Sequence, residues 1–196
     1  MATEPRRRLK PEQRRELILE AAGRQFAARG HDGTRLDDVA AAAGVTKPVL
    51  YRHFGDKTAL YLALLERHRA DLGTFATAVP RTGALEERLR AVLEVWLTYV
   101  QTHTYAWRML FRDRGGGPEI QAVRDEVHAQ ARATLVGLIR LLAVRPMPER
   151  ELEPLAELLS MGMASLVLMW MDDSGVEREA VVDAMVRVWT GVLGRP

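Results

Sequence analysis

Residues 46–57 of this chain gather Thr46, Lys47, Tyr51, Arg52, His53 and Lys57 into one short stretch. Hydroxyls, amines, a guanidinium and an imidazole at this density hydrogen-bond and neutralise phosphate oxygens, and Lys or Arg also reads the acceptor edge of guanine. Pro48 and Val49, set among them, offer the apolar surface that touches a thymine methyl. Upstream, Thr34 and Arg35 place a hydroxyl and a cation where a helix reads as starting, and helix N-termini receive anions. The chemistry is adhesion to a polyanion, with no bond made or broken. Each residue also has a plainer role open to it. Thr34 can be only a cap, Tyr51 a half-buried packing residue, His53 a helix-end packer and Lys57 a solvated amine.

Two short helices position these groups. Thr34 followed three residues later by Asp37 reads as a capping box, and Leu36, Val39, Ala40 and Ala43 recur at i, i+3, i+4 and i+7 as one buried stripe. Gly44 suits a left-handed stop, Val45 re-enters the core, and Thr46 is placed to cap a second helix with Pro48 in its first turn. Leu50 and Phe54 then face inward, which leaves Lys47, Val49, Tyr51, Arg52 and His53 outward. The pattern predicts a helix-turn-helix whose second helix carries the contacts.

The remainder of the chain is consistent with an all-α fold of about nine helices. Residues 1–10, with Arg6, Arg7, Arg8 and Lys10, read as a basic arm, which either enters a minor groove or adds non-specific attraction. A first helix runs from Pro11 to Arg29, with Leu17, Ile18, Ala21, Ala22 and Phe26 as its apolar face and Gly30 as its stop. Asp56 is placed to cap a fourth helix reaching about Ala78 through Leu60, Tyr61, Leu64 and Leu65. Pro80 and Gly83 mark a seam. Further helices are predicted from Leu85, over Tyr105–Phe111, from the Gly115–Pro118 loop to about Leu142, over roughly 150–171, and over about 177–193. No alternating strand pattern or internal repeat is present. The organisation predicted is a basic arm (1–10), a helix-turn-helix domain (11–56) and a regulatory, effector-binding and dimerisation domain (57–196).

Charge supports this division. Net charge is +2 over 196 residues, but residues 1–70 hold 14 Lys/Arg against 9 Asp/Glu and the rest hold 14 against 17. Only the first part is expected to meet a polyanion. The absence of cysteine excludes a disulfide scaffold, a thiol nucleophile and a Cys-based zinc finger. No apolar run approaches the roughly 20 residues of a membrane span, and no signal-peptide core is visible, so a cytoplasmic location and no membrane partner are expected. No enzyme constellation appears either. The histidines form no His-x-x-x-His, the serines lack a G-x-S-x-G context, and Gly115–Gly117 lacks the Lys-Ser/Thr of a phosphate loop. His68 and Asp71, three apart, are weak as a metal pair. No cofactor and no metal is expected.

Residues 11–70 resemble the DNA-binding domain of the TetR family of bacterial transcription regulators. The resemblance rests on Phe26 and Gly30, the Gly33-Thr34 entry, Val39-Ala40-x-x-Ala43-Gly44-Val45, and Thr46-Lys47-x-x-Leu50-Tyr51-x-His53-Phe54-x-x-Lys57, followed by Leu60. It implies a homodimer whose first three helices bind double-stranded DNA at a palindromic operator, with an effector pocket and dimer interface in the remaining helices. Pro48 departs from the small residue often found after the lysine in that family.

Past residue 80 the expectations come from residue types. Tyr99, His103, Trp107, Met109, Phe111, Met163 and Trp170 are aromatic or polarizable and are candidates for an adaptable pocket, with ordinary core as their plainer role. Leu155, Leu159, Gly162, Leu166, Met185 and Trp189 lie on two broad apolar faces and are candidates for a four-helix dimer interface. The expected function is a dimeric, ligand-responsive regulator, most simply a repressor released from DNA by a small molecule. The alternative is a helical small-molecule carrier or enzyme with a vestigial DNA-binding head.

Overall fold

The computed structural model describes residues 10–72, 75–172 and 175–194. The described residues form nine α-helices and one 3-10 turn: α1 (Pro11–Gly33), α2 (Leu36–Ala42), α3 (Lys47–Phe54), α4 (Lys57–Leu72), the turn Phe75–Ala78, α5 (Leu85–Thr102), α6 (Thr104–Phe111), α7 (Gly117–Leu142), α8 (Glu149–Asp172) and α9 (Arg178–Leu193). The basic arm, residues 1–9, lies outside the described residues.

The helices begin and end largely where caps and breakers direct. Gly30 interrupts α1 with φ 69°, so regular helix stops there and residues 31–33 form a separate turn. After α2, Gly44 takes φ 65°. Its N–H bonds to the Ala41 carbonyl and that of Val45 to Ala40, a Schellman closure that turns the chain toward α3. Asp56 caps α4 as its position predicts, its Oδ1 accepting from the Ala59 N–H at 2.7 Å.

Three expectations change. Thr34 does not cap α2. Its hydroxyl donates backward to the Gly30 carbonyl at 2.7 Å and lies 3.2 Å from that of Gln25, while Arg35 takes the N-cap position without a side-chain bond. Asp37 pairs with Lys47 instead of completing a capping box. On α1, Leu17 is exposed and Leu19 is fully buried, because the helix faces α4 and α6 as well as α2. α4 is described as Lys57–Leu72, and Phe75–Ala78, expected as its last turn, is a 3-10 turn instead.

α4 holds the two halves together. Its Leu60, Tyr61, Leu64 and Leu65 are wholly buried, and it packs on α1 on one side and α7 on the other. α1 also lies against α6, so closely that a Cβ at Gly23 would stand 2.5 Å from the Tyr105 ring. Farther on, α5 packs on α9 and α7 on α8. By length and composition alone α8 is apolar enough to cross a membrane, against the expectation from the sequence. Its Leu152, Ala156, Leu159 and Val167 enter the helical core, while Leu158, Met161 and Met169 form an exposed stripe. An apolar stripe of this kind on a packed helix reads as a protein contact.

Candidate nucleic-acid interface and its link to the core

α3 presents the face that its spacing predicts. Leu50 and Phe54 are 0% and 8% exposed and anchor it. Thr46, Lys47, Pro48, Tyr51 and Arg52 are exposed, and Val49 and His53 are half-buried. Thr46 occupies the N-cap position, but its hydroxyl caps no backbone N–H. It therefore stands at the helix N-terminus with its oxygen unused, beside N–H groups suited to a phosphate. Tyr51 is 42% exposed, which leaves its phenol at the surface.

The cations are held in place by local partners. Lys47 reaches back to Asp37 on α2 at 2.8 Å. That hydrogen bond raises the lysine pKa and lowers that of the aspartate. Lys57 Nζ donates to the carbonyls of Asp32 (3.4 Å) and Thr34 (3.3 Å), which secures the loop leading into α2. Arg15 of α1 lies over the Phe54 ring, 5.2 Å from its centroid. Burial, with Arg52, Arg14 and Arg15 nearby, lowers the His53 pKa. A neutral imidazole among arginines marks a locally positive potential that a phosphate would relieve. The side chain of Thr34, 2% exposed, is turned inward, so any contribution from this position would come from its backbone.

Besides Lys57, one carboxylate fastens the end of α1 to the rest of the molecule. Asp113, in the α6–α7 loop, accepts from the His31 N–H (2.7 Å), the Gly115 N–H (2.9 Å) and the Tyr61 hydroxyl (2.9 Å). Arg124 of α7 donates to the Tyr61 oxygen (2.8 Å) and the Gly115 carbonyl (3.1 Å), and lies 3.5 Å from Asp113. Arg124 is 3% exposed. Burial raises the Tyr61 phenol well above its usual range, against the opposing pull of Arg124. This cluster joins α1, α4, the α6–α7 loop and α7. None of its polar members except Tyr61 was singled out from the sequence, since residues so far apart carry no local spacing signal.

Behind α6 lies a small cavity of about 80 Å³. Of the predicted pocket residues, Trp107, Phe111 and Met163 line it. The others do not. Met109 is fully buried in the core, and Trp170 donates its indole N–H to the Val176 carbonyl at 2.9 Å beside a different groove. Tyr99 and His103 stack with ring centroids 4.4 Å apart in a separate polar cluster. There Tyr99 donates to Asp71 (3.0 Å) and lies 2.6 Å from His68 Nδ1. His68 is 1% exposed, and burial, assisted by His103 and Arg67, pulls its pKa down to about 3. Trp96 and Trp189, which carry no local spacing signal for a pocket, also line the cavity.

Trp189 and its neighbours also correct the expected interface. Leu159, Met185 and Trp189 are 5%, 3% and 3% exposed, because α9 turns this face onto α5 and Leu159 faces the core. Leu155 and Leu166 are half-buried against the same core. Only Gly162 of that set is exposed. On α8 and α9 the exposed large apolar residues are Leu158 (70%), Met161, Met169 and Val188 (57%), while Leu17, Val95, Leu141 and Val144 are exposed elsewhere.

Comparison with known proteins agrees with this architecture. Residues 18–64 match the family of bacterial regulatory proteins, tetR family, and residues 85–191 match the tetracyclin repressor-like C-terminal domain. The HTH-type transcriptional activator FasR of Mycolicibacterium smegmatis is 37% identical over 107 residues, 54% of this chain and 49% of its own. The HTH-type transcriptional repressor AcnR of Corynebacterium glutamicum is 39% identical over 85 residues, 43% of each chain. The chain thus spans about half the length of these curated relatives or less. A TetR-like transcriptional regulator from Rhodococcus sp. RHA1 superimposes with a TM-score of 0.74 at 28% identity, covering 96% of this chain and 100% of that one. With matches to both of its halves, one of them spanning more than half its length, the chain belongs to the TetR family of bacterial regulators.

Proposed function

We propose that the protein is a dimeric, ligand-responsive DNA-binding transcription regulator that acts in the cytoplasm and is released from its operator by a small molecule. The exposed face of α3, running from Thr46 to Arg52 over a buried Leu50–Phe54 anchor, carries this reading. Thr46, Tyr51 and Lys57 hold phosphates, with Thr34 contributing through its backbone. Lys47, Pro48, Val49 and Arg52, flanked by Arg35 and His53, face the base edges and groove walls. Two copies joined through the exposed stripes of α8 and α9 would set their α3 helices about one turn of DNA apart, roughly 34–36 Å.

Coupling follows from chain continuity. Trp107 and Phe111 line the cavity on α6, and Asp113, two residues past Phe111, grips the end of α1 and Tyr61 of α4. A ligand that moves α6 moves that grip and so the separation of the reading heads. Regulation requires the ligand to favour one separation over the other. Relatives are named both activator and repressor; release by a ligand corresponds to repression.

Selection of bound duplexes from a random library by purified full-length protein, followed by footprinting, tests the reading. A protected palindrome, lost with Arg52→Ala and Tyr51→Phe, is expected. Affinity no better than for random DNA would favour a carrier with a vestigial head.

A further inference from the structure

The cavity behind α6 constrains its own ligand. Trp96, Trp107, Phe111 and Trp189 form much of its wall, and among the described lining residues the hydroxyls are those of Thr134 and Ser160. No acid, base or histidine is among the described lining residues; His128, whose ring centroid lies 5.0 Å from that of Phe111, stands behind that wall. Trp107 and Trp189 are 6% and 3% exposed, and the indole N–H of each is buried without a hydrogen-bond partner. An unmet buried donor is a standing destabilisation, and an acceptor brought in by a ligand would remove it.

We infer that the cavity takes an uncharged, flat, largely apolar ligand bearing a carbonyl or ether acceptor, which meets the indole N–H groups of Trp107 and Trp189. This rests on reading the cavity as the effector site. A carboxylate or sulfonate entering here would lose its water and meet no cation among the described lining residues, and an ammonium would meet no carboxylate among them. The aromatic wall favours a ring system over a flexible chain, since stacked and edge-on ring contacts add to plain area burial.

A matched pair of fluorescent probes tests the inference on the full-length protein. One is the neutral ketone 6-propionyl-2-dimethylaminonaphthalene and the other is 6-dimethylamino-2-naphthoate, the same frame ending in a carboxylate. Three of the chain's 4 tryptophans line the cavity, so energy transfer from tryptophan reports occupancy directly. The ketone is expected to bind about a hundredfold more tightly than the carboxylate, the order expected for burying an unpaired charge. Trp107→Phe and Trp189→Phe keep a ring and delete the donor, and each should weaken the ketone about three- to tenfold. Filling the space from α7 with Ala131→Phe, or from α8 with Ser160→Leu, should abolish binding; the second variant serves if the first misfolds. Equal or tighter binding of the carboxylate overturns the inference. So does ketone binding that is indifferent to both tryptophan variants, or that survives both fillings. Operator affinity measured in parallel separates this inference from the reading beneath it. A ketone that binds in the cavity without altering operator affinity overturns ligand-responsive regulation while supporting the ligand class. A carboxylate that binds there and releases DNA, where the ketone does not, overturns the ligand class alone.

Discussion

The outer face of α3 and the junction around Asp113 are both polar, yet they are built in opposite ways. On α3 the functional groups stand at the surface over a two-residue anchor, and their partners are solvent-accessible ions such as Asp37. At the junction Arg124 is buried and the Asp113 side chain nearly so, and their bonds tie together α1, α4 and the α6–α7 loop. Surface ion pairs contribute little and exchange partners readily, which suits groups that must meet DNA. Buried pairs are costly to break, which suits a part that must transmit a displacement intact. Contact and transmission are thus separated along the chain.

The largest effect should come from breaking the junction. Asp113→Ala deprives the His31 and Gly115 N–H groups of their acceptor, leaves the Tyr61 hydroxyl only the Met109 carbonyl at 3.2 Å, and leaves Arg124 buried without its counter-charge. A loss of about 3–5 kcal/mol in unfolding free energy is expected from denaturant titration. A loss below about 1 kcal/mol, the scale of a surface pair, would erase the contrast between the two regions.

Next is the pH dependence set by His68. In the unfolded chain it titrates near 6.5, but in the folded protein burial holds it neutral down to about 3. Unfolding therefore takes up a proton between these values. The stabilising contribution is complete above about pH 6.5 and falls by about 1.4 kcal/mol per unit as pH drops toward 3. His103, Tyr99, Asp71, Tyr105 and Arg67 surround the ring or act on it. Thermal unfolding between pH 6.5 and 4.5 should show this slope in the wild type and a shallower one in His68→Gln. Parallel slopes would refute the assignment.

On the α3 side the effects are smaller and appear in binding rather than stability. Tyr51→Phe deletes one phosphate hydrogen bond and should weaken operator binding by about 1 kcal/mol, roughly fivefold, with unfolding unchanged. Lys57→Ala should lower the slope of log affinity against log salt by about 1. It should also loosen the loop at Asp32 and Thr34, whose carbonyls Lys57 holds. If both variants bind like wild type across salt concentrations, the docking face lies elsewhere. The smallest change is expected for Asp37→Asn, which frees Lys47 from its partner and should tighten DNA binding slightly, by less than Tyr51→Phe weakens it.

What was legible in the chain follows the range of the interaction. Leu50 and Phe54, four apart, identify the inward face of α3 and hence its outward one, and Gly44 signals the turn. Those are contacts within a few residues. The capping role expected of Thr34 fails because an alternative acceptor, the Gly30 carbonyl, is available where Gly30 breaks α1. Trp189 was assigned to an interface because an apolar helical face does not disclose whether α5 or a second copy covers it. Tyr99 and His103 carried a pocket's composition, but the bend between α5 and α6 places them against His68 instead.

By itself the amino-acid sequence determined the helices, the turn at Gly44, the charge asymmetry and the outward residues of α3, because periodicity, capping and backbone freedom act locally. Only the tertiary structure decided that Asp113 would hold the end of α1, that Trp96, Trp107 and Trp189 would share one cavity, and that Leu158, Met161 and Val188 would remain uncovered. Those outcomes depend on which helix face meets which, and that is settled by simultaneous packing of segments distant in the chain.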